Sequence, residues 1–450
     1  MAGIILSVDI GTSSLKAALI DFDGKLISFN REAYERKAAG ESGAWELAFA
    51  RSLERLHAGG GIPDAICISG NGPTLAPVTK EGETLPPLYW HDNKKILPEG
   101  SSSSFFLPHV AWFKKNAPAE YEKTHYFLSP HEWLSHRLGA EALAVLPSSS
   151  YEPYFWDEQQ CRLFGLNREK FPPFVNMGSV IGKLSPQASS FFGPSSGNCL
   201  KSGTPIIAGG TDFITALIGT GTLRPGDVCD RAGSSEGINV CSSSPIERKD
   251  LRVLPHAKEG LWNIGRLIPS SGRLFERYRI SSGQEGRPYG EHLAELIPSA
   301  YKTEIFRDLE FFPNIESSCH LLHSPLDLGR AVLCALGFSV REAAEALSDS
   351  GFPISEMKVS GGQAKNPRWN QLKADITGIT LMIPEIPDGE LAGNAVLSAA
   401  ALGAASGLEE AADKMIRIQD VYKPHPEASD FWEKRYKLYC EVKKERDEGF

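Results

Sequence analysis

An α/β fold in two domains is predicted by three features of the sequence. The chain has 450 residues, 41% of them hydrophobic and 23% charged, a length beyond the range in which a single core usually keeps growing. Its first seventy residues alternate short apolar runs with turn signals and then a helical pattern, the grammar of layered sheet and helix. The third feature is repetition: after Pro205 the chain runs through a similar order of elements again.

The elements follow in order. Ile4 to Val8 is a compact apolar run ending at Asp9-Ile10-Gly11-Thr12, and Leu15 to Asp21 is a second. Asp21-Phe22-Asp23-Gly24-Lys25 supplies a turn into a third strand, Leu26 to Asn30. Apolar residues recur at helical spacing from Glu46 to His57, and Ala65 to Ser69 reads as a short buried strand. From Asn93 to about Ser202 the chain is rich in aromatics, Ser and Pro, with helices expected over Pro108 to Asn116 and Pro130 to Leu138. The tract Ser101 to Ser104 reads as a flexible connection. Pro205 to Gly209 is an apolar strand leading into Asp212 and a helix from Phe213 to Gly219. Two strand-like pieces between Val228 and Val240 flank Ala232 to Gly237, whose pattern of Gly followed by hydroxyl residues repeats that of Ile10 to Ser14. Helices are expected over Ser324 to Ser348, Asn366 to Thr377, Ala392 to Gly407 and Asp430 to Glu448. The domain boundary falls near 218 to 224, giving domains of 1–220 and 221–450, with a cleft between the duplicated halves.

Composition narrows the function classes. A formal charge of −9 argues against a broad nucleic-acid surface, so small ligands are expected. Eight cysteines at scattered positions form no CxxC pair and no zinc spacing, which suits reduced thiols. The run Gly3 to Val8 is too short for a signal core and lacks a basic flank, and no stretch of about 18 apolar residues occurs. A cytoplasmic protein with no membrane partner is the expectation.

Several loops carry chemistry. Asp9 to Lys16 places a carboxylate at a strand end, then glycine, hydroxyls and a cation; Gly11 lets backbone approach phosphate, Thr12 and Ser13 donate to it, and Lys16 adds positive charge. A carboxylate beside phosphate needs a divalent cation between them, which makes Asp9 a candidate Mg²⁺ ligand. An ordinary polar hairpin has the same composition. Asp212 follows the small-residue strand end Ala208-Gly209-Gly210-Thr211, where it could project toward a substrate or cap the next helix. Ser360 to Pro367 joins a strand end, a double glycine and a helix start; a flat ring could lie on that backbone, or Asn366 could act only as a cap. A Walker motif and a GxGxxG helix head are both absent.

With these loops in order, the chain resembles the FGGY carbohydrate kinases, within the actin-like ATPase superfamily, over essentially its whole length. Asp9, Gly11, Thr12, Ser13 and Lys16 match the family's first phosphate motif, Ala208 to Asp212 with Ala216 to Gly221 the segment around its catalytic aspartate, and Gly233-Ser234-Ser235 its second phosphate loop. Gly361-Gly362-Gln363-Ala364, Trp369, Gln371 and Ala374 to Gly378 resemble its adenosine signature, and Trp90-His91-Asp92 its Trp-x-Asp substrate motif. The resemblance implies two ribonuclease H-like domains, each a mixed sheet with helices on both faces, closing over ATP and sugar at an interdomain active-site cleft.

It further implies Asp212 as catalytic base, substrate contact and second Mg²⁺-site residue beside Asp9. Phosphates would be held by Gly11, Thr12, Ser13, Lys16, Gly233, Ser234 and Ser235, adenosine by Gly361, Gly362, Gln363 and Asn366, and sugar by Asn71, Trp90 and Asp92. The cofactors implied are ATP and Mg²⁺, the partner a small sugar, with a homodimer left open. Gly70-Asn71-Gly72-Pro73 stands where xylulose kinase-like members have Gly-Gln-Met-His, the segment Asn314 to Ser324 is shorter than the family's, and Ser270-Ser271-Gly272 is less glycine-rich. A ketopentose such as xylulose or ribulose is the first substrate expected, with glycerol, a hexulose or a sugar alcohol as alternatives. From another class, a sugar-binding regulator or a conformational ATPase of the same fold would share these loops.

Overall fold

The structure, a computed structural model, describes residues 3–34, 42–57, 61–196, 200–233, 235–269, 271–302 and 324–447. The chain forms two compact units. The first comprises Met1–Leu223, Pro255–Leu261 and Gly389–Arg417, the second Arg224–Leu254, Trp262–Asp388 and Ile418–Phe450. Division of the chain at residue 220 therefore omits two returns to the first unit. The larger return carries a helix of small residues whose packing, described below, requires the first unit's own strands.

In the first unit, β1 (Ile4–Ile10), β2 (Ser14–Asp21), β3 (Leu26–Ala33), β4 (Ala65–Gly70), β5 (Val180–Lys183) and β6 (Pro205–Thr211) form one sheet in the order β3-β2-β1-β4-β6-β5. The hairpins β1-β2-β3 are antiparallel, while β1, β4 and β6 run parallel. Parallel central strands are covered on both faces, which is why Ile4 to Ile10 and Ala65 to Gly70 read as apolar runs. The β2-β3 turn is built by Asp21, whose Oδ1 accepts the amides of Asp23 at 3.0 Å and Lys25 at 2.8 Å. Gly24 adopts φ +80, and a Cβ there would lie 2.1 Å from the Met415 carbonyl oxygen.

Alternation along β1 sorts its side chains. Leu6, Val8 and Ile10 join a core cluster with Trp45, Phe49 and Leu53 of helix α1 (Ser42–His57). Ser7 and Asp9 point the other way, and Ser7 Oγ donates to the Leu391 carbonyl at 2.8 Å. The aromatic middle segment is ordered by its own contacts. Helix α2 (Leu107–Asn116) is preceded by the serine tract expected to be flexible; instead Ser102 Oγ donates to Gln160 Oε1 at 2.9 Å, Ser103 Oγ to the Pro153 carbonyl at 2.7 Å, and Ser104 Oγ accepts the Leu107 amide at 3.1 Å. Ser104 satisfies a local backbone amide while Ser102 and Ser103 tie the tract to residues 153 and 160, so composition misled. Helix α3 (Pro130–Leu138) starts with a capping box of Ser129 and Glu132.

Helix α4 (Asp212–Gly219) follows β6 directly. In the second unit the strands β7 (Val228–Ala232), β8 (Glu236–Ser242), β9 (Arg252–Pro255), β10 (Trp262–Ile268), β11 (Glu356–Ser360), β12 (Thr380–Pro384) and β13 (Ile418–Tyr422) are ordered β9-β10-β8-β7-β11-β12-β13. The segment β10-β8-β7-β11-β12 repeats the pattern of β3-β2-β1-β4-β6: an antiparallel meander joined through its first strand to parallel partners. This is the ribonuclease H-like order in both units, and the repetition expected from the sequence is present. Helices α5 (Ser271–Ser281), α6 (Pro325–Ser348), α7 (Pro367–Thr377) and α9 (Pro426–Asp447) belong to this unit; α8 (Gly389–Ala401) belongs to the first. Phe338 of α6 stacks on Tyr439 of α9 with centroids 5.3 Å apart.

Helices α4 and α8 cross with backbone almost in contact. A Cβ on Gly219 would lie 1.9 Å from the Gly389 carbonyl oxygen, and one on Gly393 would lie 2.0 Å from that of Thr215. Since α4 begins with Asp212 and α8 carries Glu390 and Asn394, this crossing fixes the helices that carry these three polar residues against each other. Gly393→Val is expected to destabilise the protein by about 3 kcal/mol or more through overpacking against backbone. Gly290→Ala, whose Cβ meets nothing within 4 Å, is expected to leave the melting temperature unchanged or slightly raised. Equal melts for the two variants would show that the crossing can spread.

Candidate active site

Asp9 sits at the end of β1 in register with Lys16 on β2 and Ser69 on β4. Its side chain is 3% exposed, and Ser69 Oγ donates to Oδ1 at 2.9 Å. Lys16 Nζ lies 3.6 Å from Glu390 Oε2, which α8 brings to the same place. Burial raises the Asp9 pKa to about 7; the charges of Glu390 and Asp212 add to that, while Lys16 and the Ser69 hydroxyl oppose it. Asp9, Lys16 and Asp212, selected from separate stretches of sequence, are thus brought within electrostatic reach of one another.

Glu390, Asn394 and Ser69 were missed by sequence reasoning. Asn394 Nδ2 donates to the Val8 carbonyl at 2.9 Å and to Ser69 Oγ at 3.1 Å, fixing the hydroxyl that holds Asp9. The available signal was polarity at helical spacing, Glu390 and Asn394 at i and i+4 on an otherwise small and apolar helix, matched by polar residues at alternate positions Ser7, Asp9 and Ser69 of apolar strands.

Asp212 opens α4, with Thr211 as the N-cap residue. Its Oδ1 accepts the Phe213 amide at 2.6 Å, so a helix-start contact exists, and the residue keeps part of its surface exposed. Between β1 and β2, Gly11 donates its amide to the Ser14 carbonyl at 3.0 Å, and Thr12 and Ser13 are exposed at the tip. Trp90 Nε1 donates to Thr12 Oγ1 at 3.2 Å. Asp92 pairs with Lys94 at 2.9 Å on the surface. His91 packs edge-on against Trp90, centroids 5.6 Å apart.

Asn71, expected as a sugar contact, is held within the first unit. It is 1% exposed; Nδ2 donates to the Ile10 carbonyl at 2.9 Å, and Oδ1 accepts the Thr74 hydroxyl. The Trp90 amide in turn donates to Thr74 Oγ1 at 3.3 Å. With both ends of its amide engaged, Asn71 buttresses the Thr12 loop and Trp90 from beneath.

In the second unit, Gly233 and Ser235 form the turn between β7 and β8, where the Gly233 amide donates to the Ser235 carbonyl at 3.0 Å. Ser234 lies outside the described residues. Gly361 adopts φ +98, and a Cβ there would lie 2.5 Å from the Ala232 carbonyl oxygen, so glycine is required for the strand-end segment to lie against the hairpin. A Cβ on Gly362 would meet nothing within 4 Å. Gln363 Nε2 donates to the Gly233 carbonyl at 3.2 Å, and its Oε1 accepts Trp369 Nε1 at 2.9 Å. Asn366 Oδ1 accepts the Trp369 amide at 3.0 Å and caps α7. The polar ends of Gln363 and Asn366 therefore shape the segment, Gly361 is packed with its amide donating to the Pro387 carbonyl at 2.7 Å, and Gly362 presents open backbone.

Among the described residues no group of three or more His, Cys, Asp or Glu forms a metal cage. Magnesium needs none, since it keeps several waters and takes one or two carboxylates with substrate phosphates. Asp9 suits such a role: it is buried, and the neighbouring acids outnumber Lys16. Also among the described residues, no helix is long and apolar enough to cross a membrane.

Comparison with known proteins places this geometry. Residues 88–219 match the model of the FGGY family of carbohydrate kinases, N-terminal domain, and residues 312–402 match that of the C-terminal domain. Autoinducer-2 kinase of Salmonella typhimurium is 21% identical over 488 residues, spanning 94% of this chain and 91% of its own. Xylulose kinase of Bacillus subtilis is 23% identical over 490 residues, spanning 97% and 96%. The crystal structure of ligand-bound xylulose kinase from Lactobacillus acidophilus superposes with a TM-score of 0.77 at 18% identity, covering 98% of both chains. With matched models for both domains of one family on two ribonuclease H-like units, the chain belongs to the FGGY family of carbohydrate kinases and is an ATP-dependent sugar kinase.

Proposed function

We propose that this kinase transfers the γ-phosphate of ATP to a hydroxyl of a ketopentose such as xylulose or ribulose, with Asp212 as the base. The observation that carries the reading is the electrostatic reach of Asp212 to Asp9, whose carboxylate also feels Lys16 and Glu390, in the first unit. A carboxylate with exposed surface at a strand-helix junction can accept a proton from a hydroxyl while that oxygen attacks phosphorus in line. Gly11, Thr12, Ser13 and Lys16 hold phosphate oxygens, as do Gly233 and Ser235, with Ser234 proposed from sequence alone. Lys16 offsets developing charge. Asp9 and Asp212 would hold Mg²⁺, which would supply neutralisation of phosphate charge. Gly361 and Gly362 offer backbone to adenosine, with Gln363 and Asn366 holding that backbone in shape.

Trp90 and Asp92 are the proposed sugar contacts, the indole packing on the carbon chain and the carboxylate accepting from hydroxyls. Similarity to xylulose kinase over nearly the whole chain supports a ketopentose. Glycerol, a hexulose or a sugar alcohol would engage the same pair.

A coupled ADP assay with a panel of pentuloses, hexuloses, glycerol and sugar alcohols tests the reading. The expected result is ADP release that depends on an added ketopentose. Equal release without sugar would indicate a conformational ATPase, and none with any sugar a regulator that has lost transfer. A cytoplasmic location completes the proposal, and light scattering decides whether the protein is a homodimer.

A further inference from the structure

Beneath the Gly233 to Ser235 turn lies an ion triad that the proposed mechanism does not use. Lys373 Nζ of α7 reaches Asp230 Oδ2 of β7 at 2.8 Å and Glu236 Oε1 of β8, and all three side chains are 0% exposed. Burying such charges costs several kcal/mol per ion, and apolar residues of similar volume would serve stability as well or better. The arrangement therefore invites a role beyond stability.

Its placement indicates one. Asp230 and Glu236 bracket the turn, two residues before Ala232 and directly after Ser235, and Ala232 pairs with Glu236 in the hairpin register. Lys373 ties both strands to α7, the helix that Asn366 caps. A second route joins the same parts: Ser271 Oγ donates to Glu236 Oε2, and Gln363 Nε2 donates to Ser271 Oγ at 2.9 Å and to the Gly233 carbonyl at 3.2 Å. The hairpin is thus fastened to the Gly361 to Asn366 segment from below and from the side. Burial and the nearby Glu236 carboxylate push Asp230 up to about 8, whereas Lys373 holds Glu236 down.

We propose that Lys373 is a positioning residue for the nucleotide polyphosphate, locking the Gly233 to Ser235 turn in register with the adenosine segment. The inference rests on the reading of that turn as a phosphate loop. A displaced turn should weaken the grip on phosphate and leave the grip on adenosine alone unchanged.

The test is calorimetry of the full-length protein with ADP and with adenosine, beside ATP and sugar KM. The triple variant Lys373→Met, Asp230→Asn, Glu236→Gln keeps side-chain shape and leaves no uncompensated buried charge. Its ADP affinity is expected to fall at least about 10-fold, since small misplacements of binding groups carry large penalties. Adenosine affinity and sugar KM should stay within about 2-fold, because neither engages the turn. A folded triple variant with unchanged ADP affinity, or with equal losses for ADP and adenosine, overturns the proposal. Should the triple variant not fold, Ser271→Ala carries the test: it keeps the triad and cuts its link to Gln363, with an expected loss of about 3-fold for ADP alone, and unchanged ADP affinity overturns the proposal. Gly233→Asp separates the underlying reading, because a carboxylate on a phosphate loop must repel ADP. If Gly233→Asp leaves ADP affinity intact, the phosphate-loop reading itself fails; if it weakens ADP while the triple variant does not, only the role of Lys373 fails.

Discussion

Asp212→Asn is expected to lower kcat by roughly 100-fold or more, with KM for ATP and for sugar each within about 3-fold of the parent enzyme. The two roles open to Asp212 make opposite forecasts. As an acid in the first turn of α4 it stabilises a helix start, a contribution of about 0.3 to 1 kcal/mol that does not touch turnover. As a base it must lose its proton-accepting carboxylate in the variant, and turnover falls while binding persists. The substitution keeps the fold on either reading, since an Asn side-chain oxygen can still accept the Phe213 amide that Asp212 Oδ1 accepts at 2.6 Å. Steady-state kinetics beside a thermal melt separates the two. Near-normal kcat in a folded variant would remove Asp212 from the chemistry.

Much of the fold was legible because its strands differ in kind. β1 and β4 are covered on both faces and read as mostly apolar runs, and the Asp21 turn announced the hairpin between β2 and β3. The duplicated order emerged from the likeness of two hairpin tips, Gly11 to Ser14 and Gly233 to Ser235. What could not be read was long-range return. Helix α8 lies about 380 residues after β1 in sequence yet packs on it through the Ser7 to Leu391 and Asn394 to Val8 contacts, and periodicity carries no information about partners so distant. For that reason the boundary at 220 missed the return of residues 389–417, and Glu390 and Asn394 escaped notice.

The site residues divide on similar lines. Thr12 and Ser13 stand exposed at a hairpin tip. Amides such as Asn71, Gln363 and Asn366, expected to meet ligand, have side chains engaged with backbone or with Trp369. An amide can satisfy a neighbouring loop or a ligand with the same atoms. Sequence identifies the residue type and leaves the choice to the surrounding backbone.

Asp9→Asn is expected to produce a more stable and nearly inactive protein. The Asp9 carboxylate is buried, Glu390 and Asp212 both disfavour its charge, and only Lys16 and the Ser69 hydroxyl support it. Asparagine retains an acceptor for Ser69 and removes a charge that burial penalises, so stability should rise by about 1 kcal/mol, as it does when a strained functional group is replaced. Turnover should fall by roughly 100-fold or more if Asp9 helps to hold the cation that neutralises the phosphates. The concentration of Mg²⁺ giving half-maximal activity should rise at least about 10-fold for the same reason. A purely structural Asp9 forecasts the reverse, a lowered melt with activity and Mg²⁺ dependence intact. Melting curves and a Mg²⁺ titration on one preparation therefore decide the matter, because a carboxylate kept at a cost to folding and released without loss of turnover would have no function left to explain its burial.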